Sequence, residues 1–564
     1  MKKEGFHFAP PPTRETATAA ILEEHHIDMD FPDEVRAETL RLPDRVREGD
    51  LLGRTDLRDW FTFTIDGAGS KDFDDAVSLV ENGDGTVTLG VHIADVGHYV
   101  KPGTALDREA FQRGTSVYFA DRVAPMLPPE LSNELCSLNP GVDRLTLSCV
   151  MRVDGDGTVV KYELLRSVIR SKERMTYADC NRLLAGEDEA LAERYAQVLP
   201  VLRGLAALDA KLKAVRRRRG ALDLETVERA ILCDERGRPV EVMQKGTGVS
   251  EGIIESMMLL ANETVAKHLV AHHLPGVFRV HEEPSQEKVD VLKRMVTPLG
   301  YEVRGRDQGS LQKLLRQSRG TPQEGLMNLL VLRTMMKALY SHENEGHYGL
   351  AAEYYCHFTS PIRRYPDLMV NRVLTMVLTG TDTPQKCKRL DLACKEAAEQ
   401  SSQREMEAMT AEREIEKRYL AEYMESHVGE DYVGTVSGVA GFGLFVALPN
   451  GVEGLLPARA LPDDYYVYLE DQLALVGERT GVKYTFGMEL PVRCVGADAF
   501  LGQVDFLLLD EEGEVIPPRR RSVQPEHPLF GGDKATDKKV RALLKAKQKK
   551  GRYRPPKRGH RGRK

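Results

Sequence analysis

The stretch "TIDGAGSKDFDDAV", residues 64–77, decides how the rest of the chain is read. It gathers Asp66, Asp72, Asp74 and Asp75 within ten residues, yet Ile65, Phe73, Ala76 and Val77 interleave with the acids. Carboxylates this close repel one another unless cations neutralise them. The apolar neighbours argue for a half-buried segment rather than a solvated charge run. A calcium loop of the EF-hand kind fails by position, because the sixth residue from Asp66 is Lys71 and the twelfth is Val77, where glycine and glutamate are required. A divalent site of hard oxygen ligands remains, and magnesium suits it best, since it is held by a few carboxylates while keeping waters and phosphates.

Outward from this stretch the pattern is strand-like. "AVSLVE" and "VTLGVHIADV" flank the turn "NGDGT" and predict a hairpin directly after the aspartates. A second hairpin is predicted from "LTLSCVMRV", "DGDG" and "TVVKYELLRSVI". Helical spacing follows over 190–218, with Leu202, Leu205, Leu208, Leu212 and Val215 on one face. Further helices are expected over 251–272, 286–298, 323–341, 366–379 and 386–426, after a short one near 14–25. From 429 the chain returns to short strands separated by glycines. His92, Asp95 and His98 resemble a metal triad, but strand alternation turns 95 away from 92 and 98, so they read as structural.

The 564 residues are too many for one core, and the composition is that of a globular protein. No apolar run is long enough to span a bilayer, and no signal-peptide core follows the N-terminal lysines. Eight scattered cysteines without a C-x-x-C pair point to free thiols and a reducing compartment, so a cytoplasmic protein is expected. The net charge of −7 conceals 15 Lys/Arg against Asp537 alone in residues 534–564. Such a basic block suits contact with polyanions, including nucleic acid.

A second informative stretch is "HFTSPIRRYPDLMVNR", residues 357–372. Pro366 and Asp367 suit the first turn of a helix. Arg363 and Arg364 then lie at its positive end, a placement that a bound phosphate would explain. Taken in order, "TIDGAGSKDFDDAV", "VHIADVGHYV", "SVYFADRVAPMLP", "ELCSLNP" and "HFTSPIRRYPDL" resemble the ribonuclease II / ribonuclease R family of processive 3′→5′ exoribonucleases. "EGIIESMMLLANETVA" and "VFRVHEEPS" lean towards ribonuclease R.

The resemblance implies that Asp66, Asp72, Asp74 and Asp75 hold magnesium, two ions per site, with Asp74 the carboxylate most needed for hydrolysis. It implies that Arg363 or Arg364, more so Arg363, stabilises charge on the scissile phosphate. Tyr118 would pack against the 3′-terminal nucleotide, and Glu405 would lie near that end. "GEDYVGTVSGVAGFGLFVALPNGVEGLLPARAL", residues 429–461, alternates like a five-stranded OB barrel and resembles an S1-type RNA-binding domain, with Phe442 and Phe445 where bases would stack. The resemblance also implies the ribosome or other RNA-processing partners for the basic block. The N-terminal cold-shock domains usual in the family are expected to be absent.

The fold class is therefore α+β. Residues 1–50 form a linker with a short helix, 51–426 a catalytic domain of mixed sheets and helices, 427–511 an S1-type barrel, and 512–564 a basic tail. The expected activity is hydrolysis of single-stranded RNA to nucleoside 5′-monophosphates by a monomer. The rivals are a catalytically dead RNA-binding protein on the same fold and a metal phosphodiesterase acting on DNA.

Overall fold

A computed structural model describes residues 13–222, 228–246, 248–462 and 464–516. The basic tail beyond 516 lies outside them, so its expected contacts with polyanions stay a matter of sequence.

The body that precedes the barrel is built on a seven-stranded sheet. Its strands are β1 (Thr55–Asp56), β2 (Phe63–Asp66), β3 (Asp75–Glu81), β4 (Val87–Ala94), β5 (Asp143–Val153), β6 (Val159–Arg170) and β7 (Glu173–Thr176). The order across the sheet is β1-β6-β5-β4-β3-β2-β7. Both predicted hairpins are present, β3 antiparallel to β4 and β5 antiparallel to β6. β2 pairs in parallel with β7, setting Asp66 opposite Thr176 at the end of the ladder. Phe63, Ile65, Val77, Leu89, Val91, Ile93, Leu147 and Cys149 are buried at alternate positions of their strands. The residues between them, including Thr64, Ser78, His92, Thr146 and Ser148, are buried too, so both faces of the sheet are covered while the alternation of apolar and polar residues persists.

The longer helices include α1 (Arg14–Glu24), α2 (Val198–Arg219), α3 (Val249–Ala271), α4 (Tyr365–Leu378) and α5 (Pro384–Glu425); α2, α3 and α4 pack on the sheet, and α1 packs on α5. α2 buries Leu202, Leu205, Leu208 and Leu212, the predicted face, but it starts at Val198 and is preceded by a separate helix, Glu189–Arg194. The helix expected over 323–341 is shorter. It ends at Thr334, and Leu339–Ser341 is instead a strand paired with Phe278–Val280. A helix at Gln308–Ser318, capped by the Asp307 side chain on the Ser310 amide, lies where the sequence reading expected none.

The predicted barrel is closed from five strands, β8 (Asp431–Ala440), β9 (Gly443–Ala447), β10 (Glu453–Pro457), β11 (Glu489–Asp498) and β12 (Gln503–Leu508). The circuit runs β8-β9-β10-β12-β11, with β10 parallel to β12, as in an OB fold. Between β10 and β11 a three-stranded sheet is inserted, Tyr466–Leu469, Ala474–Gly477 and Lys483–Thr485.

His92, Asp95 and His98 each find a protein partner. His92 is buried between the hydroxyls of Ser78 and Ser148, at 3.0 and 2.7 Å. Asp95 accepts from Arg54 at 2.5 Å, and His98 meets Asp50 at 3.1 Å. A side chain at Gly90 would collide with this arrangement, since an added Cβ would sit 2.6 Å from His92 Nε2. All eight cysteines are free thiols, and no described helix is long and apolar enough to cross a membrane.

Candidate active site

The acidic stretch spans the turn from β2 to β3. Asp66 ends β2, Asp75 begins β3, and Asp72 and Asp74 sit on the connection. That connection is anchored from both sides. The Phe73 amide donates to Ser137 Oγ at 3.0 Å, Ser137 Oγ donates to the Lys71 carbonyl at 2.7 Å, and the Leu138 amide donates to the Phe73 carbonyl at 3.0 Å. Arg174 donates to the Ala68 carbonyl at 2.7 Å and lies over the Phe73 ring. Phe73 is thus the apolar rivet that lets the four acids converge.

Burial holds the Asp66, Asp74 and Asp75 carboxyls above the ordinary range. Burial, followed by the charges of Asp75 and Asp72, pushes the Asp66 carboxyl up to about 8, and Asp66 Oδ2 is buried without a hydrogen-bond partner. Burial also pushes Asp75 up to about 6, against the pull of Arg363 and Arg364, and holds Asp74 well above the usual carboxylate range.

Each carboxylate is committed differently. Asp74 Oδ1 accepts the Ile362 amide at 2.8 Å, and its Oδ2 lies 3.7 Å from Arg363 Nε. Asp72 Oδ2 accepts the Tyr118 hydroxyl at 2.8 Å. Asp66 and Asp75 have the freer oxygens. Among the described residues no three His, Cys, Asp or Glu side chains form a group able to enclose a metal ion. Magnesium asks for less, because it keeps several waters and completes its shell with substrate phosphates. The orphaned oxygen of Asp66 beside Asp72 and Asp75 fits that donor set.

The two arginines separate in role. α4 begins at Tyr365, with Pro366 and Asp367 in its first turn, as the sequence predicts. Arg364 is only 18% exposed and donates through Nη2 to Asp367 Oδ1 at 2.7 Å, a carboxylate that is 0% exposed. Arg363 is 42% exposed and faces Asp74. Desolvating a charge is tolerated when a carboxylate is locked to it, so Arg364 is a fixed element while Arg363 is the accessible cation.

Segment 114–118 joins these parts. The Arg363 carbonyl accepts from the Ser116 amide at 2.9 Å and the Thr115 hydroxyl at 3.2 Å, and the Tyr365 amide donates to the Gly114 carbonyl. Two residues on, Tyr118 presents its ring to solvent and donates its backbone amide to Glu412 Oε1 at 3.0 Å. Burial and the Asp72 charge push the Tyr118 hydroxyl up, so it stays protonated. Glu412, on α5, lines a cavity of about 350 Å³ with Tyr118, Arg229, Met409 and Arg413.

Glu405, the sequence candidate, lies about two turns earlier on the same helix, in surroundings that Tyr340 shares with Arg279 and Arg364. It pairs with Arg279 at 2.6 Å, and that guanidinium lies over the Tyr340 ring. Glu412 is the glutamate the fold brings to Tyr118, and sequence reasoning missed it. Phe442 and Phe445 lie on the barrel, ring edge to ring face at 5.9 Å, and Phe442 is 62% exposed.

A family model for the RNB domain matches residues 54–380, and one for the S1 RNA binding domain matches residues 425–493. Ribonuclease R 1 of Lactococcus lactis subsp. lactis is 44% identical over 512 residues, 90% of this chain and 62% of that protein. Ribonuclease R of Thermotoga maritima is 43% identical over 492 residues, 86% of this chain and 69% of that protein. The chain thus spans less than two thirds of the Lactococcus relative. The structure of Mycoplasma genitalium RNase R in complex with ribose methylated single-stranded RNA superposes with a TM-score of 0.82 at 29% identity, over 88% of this chain and 78% of that one.

Proposed function

The chain belongs to the RNB-domain family that includes ribonuclease R, and from that premise we propose that it is a 3′→5′ exoribonuclease that degrades single-stranded RNA processively to nucleoside 5′-monophosphates. The observation that carries this reading is the meeting of the acidic turn with the segment before α4. The Ile362 amide and Arg363 both address Asp74, which sets the accessible arginine beside the cluster of carboxylates.

In the proposed reaction the terminal phosphodiester lies between Arg363 and the carboxylates. Arg363 follows the charge that builds on the phosphate oxygens during in-line displacement, where a preformed donor stabilises the transition state. Asp74 orients Arg363 while the Ile362 amide holds Asp74. Tyr118 offers its ring to the terminal base, and Glu412 keeps the backbone of Tyr118 in place. Asp66, Asp72 and Asp75 would hold magnesium, which when bound neutralises phosphate charge and makes water nucleophilic at neutral pH. Phe442 and Phe445 give the barrel a stacking surface for upstream bases.

The test uses 5′-labelled RNA and matched DNA, with magnesium or EDTA, and the wild type beside Asp74→Asn. The expected result is a ladder that shortens from the 3′ end with RNA, magnesium and Asp74 together. Internal cuts, or equal cleavage of DNA, would overturn the proposal.

A further inference from the structure

Tyr118 touches two parts of the site with two different parts of itself. Its ring faces solvent, at 43% exposure for the residue, where a base can meet it. Its hydroxyl turns the other way and donates to Asp72 Oδ2 at 2.8 Å. Tyr118 is the one hydrogen-bond donor to Asp72 among the described residues.

The phenol is the better-fixed partner of this pair. The Tyr118 amide is tied to Glu412, residues 117–118 pair with 123–124, and the adjoining Ser116 and Thr115 bond the Arg363 carbonyl. Asp72 lies on the connection between β2 and β3, and the anchors from Ser137 reach its neighbours Lys71 and Phe73 rather than its carboxylate.

We propose that the Tyr118 hydroxyl is the positioning group for Asp72, setting the orientation in which that carboxylate offers its other oxygen to a divalent cation. This rests on the metal reading of the acidic turn given above. A ligating carboxylate is oriented by a hydrogen bond from a neighbouring side chain, and losing that bond costs metal affinity without removing a ligand. The arrangement has a further consequence. On the reading that the ring stacks on the terminal base, the same side chain would join the RNA end to Asp72. Linkage makes any coupling between the two ligands reciprocal, whatever its sign.

The test measures Mn²⁺ binding to the full chain by electron paramagnetic resonance, and RNA affinity separately by fluorescence anisotropy in EDTA. Tyr118→Phe keeps the ring and removes the hydroxyl. Its Mn²⁺ dissociation constant is expected to rise about ten-fold, while RNA affinity in EDTA stays within about two-fold because stacking survives. In an Asp72→Asn background, Tyr118→Phe is expected to add no further loss, a check that still reads if either single variant is less stable. Wild-type Mn²⁺ affinity in Tyr118→Phe would overturn the inference alone. A wild-type chain that takes up no Mn²⁺ would overturn the metal reading of the aspartates, and this inference with it.

Discussion

The backbone amide of Ile362 donates to Asp74 Oδ1 at 2.8 Å, across a sequence separation of 288 residues. This bond makes one site of two motifs, because the next residue, Arg363, comes within 3.7 Å of the other oxygen of the same carboxylate.

Asp74→Asn preserves shape and an acceptor for Ile362 while removing a buried charge. Hydrolysis is expected to fall by about two to three orders of magnitude or more, whereas the fold stays intact. Since burial disfavours the charged form of Asp74, thermal unfolding in EDTA should occur at the wild-type temperature or above it. A large drop in that temperature would contradict this account.

The two arginines are expected to fail differently. Arg363→Ala should lower kcat by about 10²-fold with folding stability near wild type, because that side chain is well exposed. Arg364→Ala leaves Asp367 buried and without its ion-pair partner, so it should cost about 3 kcal/mol of stability. Urea denaturation beside steady-state kinetics separates the two.

His92 supplies a pH dependence. Burial pushes its imidazole down to about 3, against about 6.5 when unfolded. The folded state therefore refuses a proton that the unfolded state accepts. The stability tied to neutral His92 is complete above pH 6.5 and is lost as pH falls from there towards 3. Within that window His92 contributes a slope of about 1.4 kcal/mol per pH unit. His92→Gln, whatever its stability at pH 7, should show an acid slope shallower by one proton in chemical denaturation between pH 6 and 4.5.

On the barrel, Phe442→Ala should leave stability unchanged, as its ring is largely exposed. In an Asp74→Asn background it should weaken single-stranded RNA binding by about ten-fold or more, read by fluorescence anisotropy. Unchanged affinity would remove Phe442 from the RNA surface.

Much of the fold was legible because its signals are local. The hairpins after Glu81 and Val153 follow from strand alternation and turn residues, and α4 follows from Pro366 and Asp367. The 323–341 segment misleads because its apolar spacing continues past Thr334. Pairing of Leu339–Ser341 with Phe278–Val280, a strand some sixty residues earlier, overrides that local preference. The Asp307 cap and the i, i+3, i+4 spacing of Leu311, Leu314 and Leu315 in the short helix after it were both present in the sequence.

Glu405 and Glu412 show why site residues are harder. Seven residues are nearly two full helical turns, so both glutamates lie on almost one face of α5, about 10.5 Å apart along it. No periodicity distinguishes them. Only the packing of α5 against segment 114–118 sets Glu412, and not Glu405, beside Tyr118.

By itself the sequence determined the acidic turn, the arginine pair, the mixed body with its barrel, and the order of motifs that names the family. These depend on residue type and near-neighbour spacing, which the chain displays directly. The tertiary structure alone decided that Arg364 is locked to Asp367, that Arg363 faces Asp74, and that the Tyr118 hydroxyl reaches Asp72. Those choices depend on which side chains lose water and which distant backbone amide arrives, and neither is set by any local stretch of sequence.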